Sequence, residues 1–181
     1  YVPEESFKGY LIQHAEAISI HCFLRHKGYA PSVYYVYKPC KASVESIETF
    51  GMKKDPSPKE QKMLYHSNSS GQDRLGVLLL SEKFSWWCGS ICSSVETKEL
   101  FEGYPYGSPT SSQVVAGVLG ALWMVLEKPA MGILEPDDIP VKYTKKIIGF
   151  VDCLLGDVVN EKVKWEGGLD LKDLLVKSNR N

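Results

Sequence analysis

The chain has 181 residues, 44% apolar and 24% charged, with 21 Lys and Arg against 22 Asp and Glu for a formal net charge of -1. These are globular proportions with enough apolar material for one good-sized core, and the even charge balance gives no pull toward nucleic acid or anionic lipid. Five scattered cysteines (Cys22, Cys40, Cys88, Cys92 and Cys153) point to reduced thiols in a cytoplasmic compartment rather than a disulfide framework.

The opening Tyr1, with Val-Pro-Glu-Glu behind it, reads as the start of a piece cut from something longer. Gly9–His14 is expected to be a strand leading into Ala15–Ile20. His14 and Glu16 would share a face of an extended segment, and they stay near neighbours if Glu16 begins a helix instead. An imidazole and a carboxylate together can seat an ammonium group and move its proton, although the pair alone is equally a structural hydrogen bond. His21 and His26 read as surface or loop residues, and no metal-ligand spacing links the four histidines. After a turn at Gly28, Val33–Tyr37 is rich in strand formers and is expected to be a central strand ended by Pro39. Val44, Ile47 and Phe50 at helical spacing predict a short amphipathic helix over Ala42–Phe50, closed by Gly51. Lys53–Lys62 reads as a solvated loop, Met63–Tyr65 as a brief strand and Ser67–Gln72 as a polar turn.

Asp73–Leu80 is expected to be a buried strand, with Asp73 held in a turn or paired with Arg74. Phe84–Cys92 would return antiparallel through a hairpin around Glu82 and Lys83. Trp86 and Trp87 then point to opposite faces, one into the core and the other free to face a cleft. There an indole could seat an alkylammonium, worth about 0.5 to 2 kcal/mol, with plain core packing as the alternative. Val95–Phe101 reads as a short helix carrying Glu96, Lys98 and Glu99 outward, and Gly103–Pro109 as a rigid loop.

That loop feeds the stretch on which the rest of the chain is organised. Val114–Leu126 has no charged residue, and Thr110 with Gln113 forms a predicted capping box at its start. Glu127, Lys128 and Pro129 stop it. The run is shorter than the ~20 residues a membrane span needs, so it reads as a buried central helix. Ala116, Gly117, Gly120 and Ala121 would form a tight face, and Val114, Val118, Leu122 and Val125 a space-filling stripe beside it. Its cover would come from this chain or from a domain or subunit outside it. Beyond lie an acidic turn at Gly132–Pro140, whose Asp137 or Asp138 would cap a helix over Val141–Leu155, and a half-buried strand over Val158–Trp165 with Val159, Val163 and Trp165 inward. A frayed helix is expected from Lys172. The fold class is α+β: one domain over residues 1–181, with a largely antiparallel or mixed sheet covered by helices.

Six collinear stretches resemble one family. His14-Ala-Glu-Ala-Ile-Ser-Ile20, Tyr34-Tyr-Val-Tyr-Lys-Pro39, Asp73-Arg-Leu-Gly-Val-Leu-Leu79, Trp87-Cys-Gly-Ser90, Thr110-Ser-Ser-Gln-Val114 and Gly132-Ile-Leu-Glu-Pro-Asp-Asp138 are similar to homospermidine synthases of the saccharopine dehydrogenase-like group. The resemblance runs from about Gly9 to about Trp165. Members carry an N-terminal Rossmann domain followed by a substrate and dimerisation domain, and the resemblance places this chain in the second part only. It implies an NAD-dependent, redox-neutral enzyme that transfers an aminobutyl group between diamines, turning putrescine into homospermidine with release of ammonia.

On that resemblance Glu16 and His14 are the catalytic candidates, Glu16 holding the ammonium and exchanging its proton while His14 assists. The family has His-Asn-Glu where this chain has His14-Ala15-Glu16. Asp73 and Trp87 are the substrate-binding candidates, within a family Tyr-Trp-Tyr-Gly-Ser that is here Trp86-Trp87-Cys88-Gly89-Ser90. Thr110 is the one candidate cofactor contact. No Gly-x-Gly-x-x-Gly occurs in the sequence, so NAD would be bound mainly by the absent Rossmann domain, and this chain alone would be inactive. The implied partners are putrescine, that domain and a second copy in a homodimer, with no metal, nucleic acid or membrane. The alternatives are a non-catalytic remnant or interaction module that keeps the fold, and another saccharopine dehydrogenase-like oxidoreductase.

Overall fold

The structure, a computed structural model, describes residues 9–51, 65, 69–102 and 106–174. The described residues fall into two compact units, one within Glu4–Lys62 and Glu135–Asp138, the other within Met63–Leu134 and Ile139–Asn181. Both mix helices with antiparallel strands, so the class is α+β.

In the N-terminal unit, β1 (Tyr10–Ile12) leads into α1 (Ala15–His26), and β2 (Tyr35–Tyr37) leads into α2 (Lys41–Gly51). The two strands pair antiparallel with Tyr10 opposite Tyr37 and Ile12 opposite Tyr35. β2 is thus not central. Among the described residues it is a short strand paired with β1 alone, and Val36 and Tyr37 remain about half exposed (51% and 50%). Gly28 takes the positive φ of 79° expected of the turn after α1. Of the predicted apolar face of α2, Val44 is half-buried but Ile47 is exposed. Pro136–Asp138 forms a 3₁₀ turn, in which Asp138 accepts from the Glu135 N–H at 3.3 Å.

The second unit is built on a three-stranded antiparallel sheet in the order β3 (Gln72–Leu80), β4 (Ser85–Ser93), β5 (Asp157–Val163). The β3–β4 hairpin closes from Leu80 to Ser85, as the turn residues Glu82 and Lys83 predict. A short helix, α3 (Ser94–Leu100), follows β4 directly through a capping box of Ser93 and Glu96. α4 (Pro109–Glu127) packs against α5 (Val141–Leu155), and both lie against β4. Where they meet, Ala116, Val151 and Leu154 are buried, with Phe101, Ile147 and Leu155 packed around them. Gly156 ends α5 at φ 71° and brings the chain against the backbone of Ile91, a position that only glycine fills without strain. In β5, Val159 and Val163 are the half-buried positions, as the alternation predicts, but the strand ends at Val163 and Trp165, expected inward, is exposed. α6 (Leu171–Leu174) begins the helix expected in the tail.

Four expectations need correcting. α4 is not enclosed: Ser112, Gln113, Ala116, Gly120 and Met124 are buried, while Val114, Val118, Leu122 and Val125 are 51–63% exposed. It is capped by Ser108 and Ser111 rather than by Thr110 and Gln113, because Pro109 occupies the first helical position, where a missing N–H costs nothing. β3 is not buried: Leu75, Val77, Leu78 and Leu79 are all exposed, and among the described residues it pairs with β4 alone. No Asp side chain caps α5, which starts at Pro140. By length and composition alone α4 could cross a bilayer, but Ser112 and Gln113 are spent on packing, donating to the Leu154 carbonyl and to Ser90. The loop over Lys53–Lys62, most of the strand over Met63–Tyr65, the start of the Ser67 turn, the first part of the Gly103 loop and the tail past Leu174 lie outside the described residues.

Candidate functional site

The β1–β2 register builds the first group. Ile12 faces Tyr35 across the pair, and two residues further on His14 falls on the same side as Ile12. The Tyr35 ring stacks on the His14 ring, with centroids 4.2 Å apart and planes 11° apart. His14 is the extended residue before α1 (φ −137°, ψ 147°), and its side chain makes no cap bond. Glu16 sits in the first turn of α1, where the helix dipole favours a negative charge. Its Oε2 contacts His14 Nδ1. A carboxylate can only accept, so Nδ1 carries the proton, and in the neutral ring Nε2 has the lone pair. The helix alternative is therefore the one realised, and it brings the two catalytic candidates together. Their side chains are 39% and 61% exposed, so the described residues give Glu16 no enclosed, low-dielectric cleft.

The second group lies in the sheet unit. Thr110 Oγ1 donates to Asp73 Oδ2 at 2.5 Å, which takes the Thr110 hydroxyl away from the capping role predicted for it. Beside it Gln113 Nε2 donates to Ser90 Oγ at 2.8 Å. Strand alternation with the register Asp73–Cys92, Val77–Cys88 and Leu79–Trp86 puts Asp73 on the same face as Trp86. Trp87 is on the other face, so the sheet separates the two substrate-binding candidates. The half-buried Trp87 indole lies over Gly76 and Gly89, where a Cβ on either glycine would come within 3.0 Å of the ring. Its Nε1–H is buried and has no partner among the described residues. Trp86 instead donates to Asn160 Oδ1 at 2.5 Å.

Two shallow hollows open in the sheet unit. One of about 350 Å³ is lined by Cys92, Glu96, Thr97, Asp152 and Asp157, and one of about 400 Å³ by Lys83, Phe84, Lys162 and Trp165. Neither contains a candidate named from the sequence. Among the described residues no group of His, Cys, Asp and Glu is placed to hold a metal ion. The start of α4 is closed by its own Ser108–Ser111 box, and Thr110 is engaged with Asp73, so these residues do not build a cradle for a pyrophosphate. Sequence reasoning missed Tyr35 as part of the first group. Its signal was the pairing of two short strands flanking α1.

The fold and this first group define an α+β segment with an accessible contact between His14 and Glu16. No known family profile matches the chain. It is, however, 36% identical over 142 residues to a homospermidine synthase of Mesorhizobium japonicum, covering 74% of this chain and 29% of that protein. A homospermidine synthase of Blastochloris viridis is 34% identical over 166 residues, covering 87% of this chain and 33% of that protein. The chain spans about a third of the length of the curated relatives it matches. Over these residues it is homospermidine synthase-like, related to an enzyme family.

Proposed function

We propose that the chain is the amine-handling part of an NAD-dependent homospermidine synthase, acting in the cytoplasm and moving an aminobutyl group from one putrescine to another with release of ammonia. The contact between His14 and Glu16 carries this reading. It sets a carboxylate beside an imidazole whose free nitrogen holds a lone pair, which suits a substrate that must be bound as an ammonium and deprotonated before it reacts. Glu16 holds the ammonium and takes its proton, and His14 assists. Asp73, whose carboxylate accepts from Thr110, acts as an amine-binding group, while Trp87, on the other face of the sheet, stays outside that group. NAD is held by residues outside this chain, and the two units of this chain serve as one substrate domain. The exposed stripe of α4 suits the interface of a homodimer.

That stripe, with Ala15 where the family has Asn, also favours a second reading: an interaction module that has kept the fold without the activity. The experiment that separates them is Glu16→Gln in the complete enzyme, with homospermidine formation and a thermal melt measured on the same protein. Turnover should fall by about 10²-fold or more, the scale of a lost general base, with the melt nearly unchanged. Near-normal turnover with a lowered melt would give Glu16 a structural role and sink its catalytic one, whereas a parent protein that forms no homospermidine would support the second reading.

A further inference from the structure

We propose that Tyr35 is a positioning residue that fixes the plane of the His14 ring, an inference that rests on the amine chemistry proposed above. His14 begins α1, and its side chain makes no cap hydrogen bond that would hold the ring. Two contacts hold it instead. Glu16 takes Nδ1 at the ring edge, and Tyr35 covers one ring face at 4.2 Å with an 11° tilt. The edge contact alone leaves the imidazole free to swing about the Nδ1–carboxylate line. A near-parallel ring on one face removes that swing, because rotation would drive the imidazole into Tyr35 or open the stack. A half-turn about the ring torsion would turn carbon instead of Nδ1 toward Glu16. Together the two contacts leave Nε2 as the ring nitrogen without a partner among the described residues, in one direction, before any substrate arrives.

The position of Tyr35 is set by strand pairing rather than by its own neighbourhood. β2 sets it opposite Ile12, and the strand alternation carries His14 to the same side. The stack uses the face of the ring. The phenol hydroxyl plays no part in it, so phenylalanine should do the same work and an aliphatic residue should not.

The test is steady-state turnover of putrescine by the complete enzyme carrying Tyr35→Phe, Tyr35→Leu or Tyr35→Val, each beside a thermal melt. Phe should stay within about threefold of the parent. Leu and Val should lower kcat by about 10-fold or more with KM nearly constant, the pattern of a group that orients the reacting atoms rather than binding substrate. Two aliphatic variants are used so that a folding failure in one does not decide the matter. In a His14→Gln background, Tyr35→Leu should add no further loss, because Tyr35 acts only through His14. Loss of equal size from Phe and Leu, or a Leu effect that persists in full without His14, would overturn the proposal. Glu16→Gln at full turnover would sink the amine reading itself, whereas a slow Glu16→Gln beside a fully active Tyr35→Leu would sink only the role of Tyr35.

Discussion

Gly117 and Gly120 lie nearly one turn apart on α4, and the same substitution should move stability in opposite directions at the two. An alanine in a helix interior is worth about 1 kcal/mol over glycine through backbone entropy alone. At Gly117 a Cβ meets nothing within 4 Å, so Gly117→Ala should keep that gain. At Gly120, which is buried, a Cβ would lie 2.5 Å from Ile147 Cγ2 on α5, well inside contact distance. Overpacking of that kind costs roughly 1 to 3 kcal/mol, which cancels or exceeds the propensity gain. The two variants should therefore differ by about 1 to 3 kcal/mol. For a chain of this size that is a gap of roughly 2 to 12 °C in thermal midpoint, at ~2–4 °C per kcal/mol. Far-UV circular dichroism melts of both proteins measure it directly. The Ile147→Ala background removes the colliding methyl, and there Gly120→Ala should become neutral or stabilising. A Gly120→Ala protein that melts as high as Gly117→Ala would show that α4 and α5 do not approach as described.

Three further outcomes can be checked. The Ser93 hydroxyl, and then the Ser93 backbone N–H, hold the Glu96 carboxyl below its usual pKa. A folded-state pKa that is depressed adds stability above the ordinary Glu value of ~4.3 and loses it as pH falls through the folded value, so the parent should out-melt Glu96→Gln at neutral pH but not at acid pH, and a gap that persists in acid would contradict this. The Cys40 thiol is also pulled down, first by the Ser43 hydroxyl and then by the Ser43 backbone, so among the exposed thiols Cys22, Cys40, Cys88 and Cys153 it should alkylate fastest, and Ser43→Ala should slow it. Equal rates for all four would deny Ser43 any such effect. The exposed Val114, Val118, Leu122 and Val125 stripe should bind a hydrophobic dye or drive self-association, and Leu122→Lys should reduce either; a dye-silent monomer in sedimentation would count against a functional role for that face.

Much of the local architecture was legible in the sequence because it depends on near neighbours. The run Val141–Leu155 matches α5 residue for residue, and Glu82-Lys83 fixes the hairpin. What failed depends on cover. The apolar stretch from Leu75 to Leu80 has the composition of a buried strand, but composition does not say whether another layer covers its faces, and Leu75, Val77, Leu78 and Leu79 stay exposed. The α4 cap was misread because Ser-Pro-Thr-Ser-Ser-Gln offers two spacings of the same kind, and only the proline at the first helical position picks between them. One site error was avoidable. A hairpin centred on Glu82-Lys83 already pairs Asp73 with Cys92, and Trp87 is an odd number of residues from Cys92, so the faces of Asp73 and Trp87 could have been told apart without coordinates. The stack of Tyr35 on His14 was harder, since it needs the register of two strands separated by a whole helix.

A helix that is uncharged from Val114 to Leu126 has little reason of its own to present one side rather than another to a sheet, since an apolar cylinder can roll with small change in buried area. α4 is denied that freedom by its polar residues. Thr110 to Asp73, Ser112 to the Leu154 carbonyl and Gln113 to Ser90 anchor it at three angles near one end, to β3, to α5 and to β4. Rolling would strand the buried Ser112 and Gln113 without partners, at a cost of about 1 to 3 kcal/mol each. The bonds that hold the helix down thereby also set the compass bearing of Val114, Val118, Leu122 and Val125, so whatever docks there meets a surface whose orientation is decided at the far side of the helix.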